Sequence, residues 1–510
     1  MSADVIARGL ASKARSDAAT ATTAAASAQG TANAALAGAA AKTANTAALI
    51  TAIRNNGFFP QPLSRAPAAN IPTVTLGAAN AVSAINGRSY GNPLVLLSNS
   101  KLKFLAGPTT QDGNGAWLAR GAWYGATRSN QYSAVETSHT GSDLEVAVNG
   151  AFYGATSNLR ILVNDRIAAI TTVPNNTGSF YYVRLTFPSS ATRRIRIEGA
   201  GGKWMGINVT SAGELAATGR TYPLVTVMGD SFAEGTGSNS FDNEAVSLAR
   251  ALGGNASVAG VGATGMLNPG TGGKVAWTDA TRLTDLTMAG VTDTLGGSTA
   301  PALGIVMASI NDRFNTANWS SAPDFQSAIN NAAWTIIDAW GAANPGKPLV
   351  FFGPTWTNED PTLDIYRIRD GIQEACWGVS NVWFIDRLGP GPRLRKGANT
   401  FTSTTGNTTS GSKIITGIPT TSGFMNEAGI SGATIPVGAT VMTIDSATQV
   451  TISHNATATA SGSALVVRNT PTSLYSFGPG DGTHPSQAGH NLDALWMANE
   501  LTRLIHTAFA

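Results

Sequence analysis

The chain has 510 residues, room for roughly three domains of about 150 residues each. Hydrophobic residues make up 43% and support sizeable cores, while charged residues are 12%, about half of the ~25% usual in soluble domains. The net charge of +3 comes without a basic stripe, which argues against nucleic acid as a partner, and no apolar run reaches the ~18 residues of a membrane span.

A single cysteine, Cys376, lies in an apolar stretch. It excludes an intrachain disulfide and a cysteine-based metal site, and reads as a buried structural thiol. The first residues lack the long apolar core of a signal peptide, so export by that route is not expected.

Residues 1–56 are rich in Ala and Thr, with no proline and two degenerate repeats, Thr31–Leu36 and Thr43–Leu49. Alanine is the best helix former, but this segment has few large apolar residues to bury. It reads as a slender coiled-coil-like stem that packs against copies of itself, with Ile6, Leu10, Leu36, Leu49 and Ile53 as seam positions. The alternative is a disordered low-complexity tail. Pro60, Pro62, Pro67 and Pro72 then make residues 57–92 a linker or extended arm.

Residues 93–216 switch to a period of two, as in Leu144–Val148, Leu159–Val163, Tyr181–Phe187 and Arg194–Ile197. Turn signals separate these runs, at Gly141-Ser142-Asp143, Val163–Arg166 and Pro174–Gly178. The pattern predicts an antiparallel β-sandwich, jelly-roll-like. Trp117, Trp123, Tyr124, Tyr153 and Trp204 are either a sugar-stacking face or core aromatics.

From residue 217 to 395 strand-like runs alternate with helical patterns. The runs are Leu224–Met228, Leu303–Met307, Leu349–Phe352 and Val382–Ile385; the helices are Asn243–Leu252, Asp324–Trp340 and Asp364–Cys376. Such alternation predicts βαβ units and a parallel sheet flanked by helices. Residues 396–473, rich in Thr, Ser and Gly with short β runs, read as a small inserted β module. Residues 474–510 return to the α/β domain with the loop Phe477–Pro485 and a final amphipathic helix, Gln487–His506.

The chemistry centres on Gly229-Asp230-Ser231, where an apolar strand meets a turn that opens toward a helix. Open α/β sheets place ligands at the carboxyl ends of their strands. Serine needs a base to take its proton. Of the five histidines, His139 falls in the sandwich, His454 in the insert, and His490 and His506 in the last helix. His484 sits on a loop just before that helix, three residues after Asp481. An aspartate there can fix the imidazole tautomer and leave the other nitrogen for Ser231; a capped turn is the plainer reading of Asp-x-x-His alone. The glycine turn Val258–Thr264 can offer the Gly262 N–H, and Asn311, after the strand Leu303–Met307, a side-chain amide. Trp356 either borders the acyl pocket or packs in the core.

These four blocks, Gly229-Asp230-Ser231, the Gly262 turn, Asn311-Asp312 and Asp481-x-x-His484, occur in the order found in the SGNH (GDSL-like) hydrolases. The chain resembles that family over residues ~220–395 and ~475–510. It departs at the third block, where Ser309 holds a position that is usually glycine. The sandwich ahead of the hydrolase is similar to the arrangement in certain carbohydrate esterases of the superfamily. The resemblance implies a three-layer α/β hydrolase in which Ser231 is the nucleophile, His484 the base and then the acid, and Asp481 the residue that orients His484. It implies an oxyanion hole of Ser231 N–H, Gly262 N–H and the Asn311 side chain, with no metal or cofactor.

The stem and the insert resemble segments of bacteriophage tail fibres and tailspikes. This second resemblance implies a homotrimer in the virion tail, joined to other tail proteins and acting on O-acetylated glycans of the bacterial surface without inserting in a membrane. The expected activity is therefore a carbohydrate O-acetylesterase. Its rivals are a glycan-binding adhesion protein on an esterase-like scaffold, and a lipase or thioesterase of the same family.

Overall fold

The computed structural model describes residues 65–507, except for internal stretches of which the longest are 120–131, 389–400 and 469–483. The expected stem (1–56) lies outside the described residues, as do Trp123, Tyr124, Tyr153, Trp356, Asp481 and the side chains of Trp117 and His506.

The antiparallel unit differs from the expected run of short strands. Two long strands, Tyr132–Asn149 and Phe180–Ala200, pair along most of their length within an 11-stranded sheet. The expected turn at Gly141-Ser142-Asp143 is instead an irregularity inside one strand, where residues 187–190 of the partner lie opposite Ser142 alone. That slip reverses the side-chain parity, because facing alternates with a period of two. Before it, odd-numbered Val135 faces the sheet's own core while Tyr132 and Ala134 face the α/β unit; after it, Leu144, Val146 and Val148 face the sheet's own core. Both halves share that core, so the sheet folds over on itself. The proline-rich arm is also drawn in, since Thr73–Leu76 pairs with the second long strand. Trp204 is fully buried and donates to Ser133 Oγ at 2.8 Å, which settles it as a core aromatic.

The α/β unit has a five-stranded parallel sheet. Its strands are β1 (Leu224–Gly229), β2 (Asn255–Gly260), β3 (Leu303–Met307), β4 (Leu349–Phe352) and β5 (Val382–Ile385), in the order β2-β1-β3-β4-β5. All but β5 are buried on both faces along almost their whole length, as helix cover on two sides requires. Helix α1 (Ser231–Glu234) is one turn long and follows β1. Helix α2 (Glu244–Ala251), capped by Asn243, and the last helix α6 (Gln487–Thr507) pack with Val225, Val227, Ile305 and Val350 on one face. Helices α3 (Ala280–Thr287), α4 (Ala322–Ala343) and α5 (Leu363–Cys376) pack with Met228, Val306 and Phe351 on the other. Cys376 is buried there, as expected.

The two units meet through shared packing and charge. Leu105, Tyr132 and Ala134 of the antiparallel sheet belong to the same apolar cluster as Val246, Ala249 and Met497. Beside it, Arg160 grips Glu198 through Nε and Nη2 at 2.8 and 2.6 Å and Asp242 through Nη1, while Arg250 on α2 reaches Asp242 at 3.0 Å and Glu198 at 3.5 Å. The inserted module has its own core, built by two three-stranded antiparallel sheets around residues such as Ile415, Phe424, Val450 and Leu465.

Candidate active site

Ser231 stands at the carboxyl end of β1, between β2 and β3, where the strand order reverses and loops part to leave a crevice. Asp230 caps α1 by accepting the Phe232 N–H at 3.0 Å, and Gly235, at φ 95°, ends the helix after one turn. The tight fit needs a bare backbone beneath it. A Cβ on Gly260, the last residue of β2, would lie 2.4 Å from the Glu234 nitrogen.

His484 reaches this serine from the far end of the chain. Its Nε2 lies 2.8 Å from Ser231 Oγ, across 253 positions of sequence. The imidazole also tilts against the Phe232 ring, with centroids 5.5 Å apart. The expected nucleophile and base are thus in hydrogen-bond contact; Asp481 lies outside the described residues.

The expected oxyanion groups gather around the same point, with partners of their own. Asn311 Nδ2 donates to Asp230 Oδ2 and to the Thr264 carbonyl, both at 3.2 Å. The Gly262 N–H donates to Glu234 Oε2 at 2.8 Å, and Lys274 Nζ donates to the Gly262 carbonyl at 2.8 Å. Ser309, in the position the family pattern gives to glycine, joins three blocks. Its Oγ lies 2.7 Å from Asp230 Oδ2 and 2.8 Å from the Thr264 carbonyl, and accepts the Asn311 N–H at 2.9 Å. Asp312 is buried below and accepts the N–H groups of Met266, Leu267 and Asn268 at 2.8–2.9 Å. Burial nevertheless pushes its carboxyl up to about 6. Burial likewise pushes Asp230 upward, against the Phe232 N–H and the Ser309 hydroxyl.

A buried polar cluster supports the histidine side. Arg387, just beyond β5, bonds Asp493 on α6 and lies 3.3 Å from Glu244 on α2. His490, fully buried on α6, lies with Nε2 3.0 Å from the Thr236 carbonyl, just past α1. Burial lowers its imidazole to about 4 and so keeps it neutral. The end of the turn that carries Ser231 is therefore tied to the helix that follows His484. On the opposite face, Arg282 of α3 sends Nη2 to the carbonyls of Gly229 and Ala259 at 3.1 Å, fixing the ends of β1 and β2.

Glu234, Lys274, Arg282 and the bridging role of Ser309 do not emerge from the motif reading. Glu234 carried a usable signal, as a carboxylate three residues after the serine. His139 and His454 stand apart from the site, the first buried near Glu214 in the antiparallel unit and the second beside Ser453 in the insert.

No family model matches the sequence, and no curated protein matches it. Among solved structures, the chain is similar to a family two carbohydrate esterase from Clostridium thermocellum in complex with cellohexaose, at 13% identity and a TM-score of 0.46, over 79% of this chain and 99% of that one. It is similar to a salicylyl-acyltransferase from a tetracycline biosynthetic pathway, at 11% identity and a TM-score of 0.47, over 80% and 96%. It is also similar to an acetyl xylan esterase from the rumen bacterium Butyrivibrio proteoclasticus, at 15% identity and a TM-score of 0.40, over 57% and 89%. These neighbours are two carbohydrate-acting esterases and an acyltransferase, all at low identity.

Proposed function

We propose that the chain is a serine esterase that removes O-acetyl groups from bacterial surface polysaccharide. The observation that carries the reading is the 2.8 Å contact between Ser231 Oγ and His484 Nε2 at the carboxyl end of β1. A hydroxyl is a weak nucleophile until a base within hydrogen-bond reach takes its proton. Here the base is in place before substrate arrives.

Ser231 Oγ attacks the acetyl carbonyl while His484 takes the hydroxyl proton. The tetrahedral oxyanion meets the Ser231 N–H, an N–H of the loop after β2 and the Asn311 side chain, which gives up one of its two 3.2 Å bonds to reach it. His484 then hands its proton to the departing sugar oxygen, leaving an acetyl-serine. Water attacks that ester with His484 again as base, and acetate leaves. Asp481, three residues before His484, orients the imidazole.

On the same reading, the Ala/Thr-rich stem and the inserted module belong to a phage tail fibre or tailspike, a homotrimer whose ligand is the acetylated glycan. Acetate release from acetylated capsule, exopolysaccharide or lipopolysaccharide is the test. Wild type should release acetate and a folded Ser231→Ala variant should not. Undiminished release by that variant would reject the mechanism, and light scattering that gives a monomer would reject the trimer.

A further inference from the structure

The loop after β2 was expected to present the Gly262 N–H to the oxyanion. In the structure that N–H is held by the Glu234 carboxylate at 2.8 Å. A donor that already serves a full negative charge is a poor partner for a second one. The same residue is gripped at its other end, where Lys274 Nζ donates to the Gly262 carbonyl at 2.8 Å. The Gly262–Ala263 peptide is trans and planar, so the Ala263 N–H points opposite to that carbonyl, away from Lys274. Among the described residues, no hydrogen bond from the Ala263 N–H is present.

The backbone at this point is unusual. Thr264 N–H reaches the Val261 carbonyl at 3.4 Å, which makes residues 261–264 a β-turn with Ala263 in its third position. Ala263 has φ +64°, the left-handed region, where turns of this kind normally place glycine. A side chain there costs about 1–2 kcal/mol, and such strain persists only where the surroundings impose it. Glu234 and Lys274 hold the preceding residue, Gly262, at both of its polar groups. The peptide borders the nucleophile, because a Cβ on Gly262 would stand 3.5 Å from Ser231 Cβ and 2.7 Å from Glu234 Oε2.

We infer that Glu234 and Lys274 are positioning residues that clamp Gly262 at its N–H and its carbonyl, so that the Ala263 N–H becomes this loop's oxyanion donor. The inference rests on the esterase reading. It also assigns Glu234 a role other than blocking a donor, and the two roles give opposite results.

The test is steady-state hydrolysis of 4-nitrophenyl acetate by the full chain. Glu234→Ala should lower kcat about 10- to 100-fold with KM nearly unchanged, since a misplaced oxyanion donor is felt in the transition state, where full loss of one costs about 10²–10³. Glu234→Gln keeps an acceptor for the Gly262 N–H and should keep at least about a third of kcat. Lys274→Met, at a half-buried position that tolerates an apolar stem, should show the same kcat-selective loss. It also keeps the test open if Glu234→Ala fails to fold. A rise in kcat for Glu234→Ala would mean that the carboxylate was masking Gly262, and would overturn the inference. So would an unchanged kcat in Glu234→Ala or Lys274→Met, or a loss in Glu234→Gln as large as in Glu234→Ala. A wild-type chain inert toward every ester rejects the esterase reading itself, whereas an active wild type with indifferent variants rejects the clamp alone.

Discussion

Replacing Glu198 by Gln probes the joint between the antiparallel sheet and the α/β unit. Glu198 is fully buried, and burial alone would raise its carboxyl. Arg160, Arg250 and Arg196 overcome this and hold it at about 2, against an ordinary value of 4.5. A shift of that size corresponds to about 3 kcal/mol of stability at neutral pH, at 1.36 kcal/mol per unit. The sign follows from the lowered value. The contribution is complete above the unfolded pKa near 4.5 and is lost as pH falls toward 2. Glu198→Gln keeps the shape but leaves three guanidinium groups facing a neutral amide, and breaking a buried pair from one side typically costs about 3–5 kcal/mol. At pH 7 the melting temperature should drop by about 6–20 °C, taking about 2–4 °C per kcal/mol for a unit of this size. Calorimetry of both proteins between pH 7 and pH 2.5 is the assay, and the gap should narrow below pH 4. A gap under about 1 kcal/mol at pH 7, or one that does not change with pH, would refute the argument.

Two further substitutions test the supports of the site. His490 is held neutral at about 4, so the unfolded chain binds its proton first and stability falls as pH drops from 6.5 toward 4. His490→Gln should make that decline shallower by about 1 kcal/mol per pH unit; the lowered His139 will sustain part of the slope, and an unaltered slope in a urea titration series would exclude His490 as a contributor. Ser309→Gly restores the usual family residue yet removes the hydroxyl that serves Asp230 and accepts the Asn311 N–H. It should cost about 1–3 kcal/mol, as lost buried hydrogen bonds do, and a variant as stable as wild type in chemical denaturation would show that the bridge is idle.

The parallel sheet was legible because buried strands and amphipathic helices alternate at their own periods. Leu224–Met228, Leu303–Met307, Leu349–Phe352 and Val382–Ile385 all occur as read, within a residue or two. Helix α3 escaped because Ala280–Thr287 is polar and owes its burial to Arg282, Asp285 and Leu286 facing the sheet. The two long antiparallel strands escaped for another reason. Gly141-Ser142-Asp143 has the composition of a turn, and only its partner strand decides that the chain continues through it as one irregular strand. The same limit holds at the site. Ser231, His484 and Asn311 announce themselves by residue type and order. The hydrogen bonds that hold Gly262 and Asp230 depend on three loops meeting, which no local pattern encodes.

The inserted module shows why His484 can lie so far along the chain from Ser231. Its first and last strands are direct partners, with Phe401 opposite Arg468, so the module's own two ends lie side by side. Its core is its own and shares no residue with the clusters that hold the α/β sheet. The module therefore adds length between β5 and His484 without adding strain. Loop-closure entropy grows only with the logarithm of length, about 0.6 kcal/mol per doubling. Replacing residues 401–468 by a short Gly/Ser linker should then leave the hydrolase at least as stable, by up to about 2 kcal/mol. Hydrolysis of a small acetyl ester should stay within about threefold of wild type, because the described contacts of His484 are with Ser231 and Phe232 of the α/β unit. Any change on polysaccharide would then report glycan contacts made by the module. Loss of small-ester hydrolysis in a folded deletion variant would mean that the module holds His484 in place, and the picture of an independent insertion would fall.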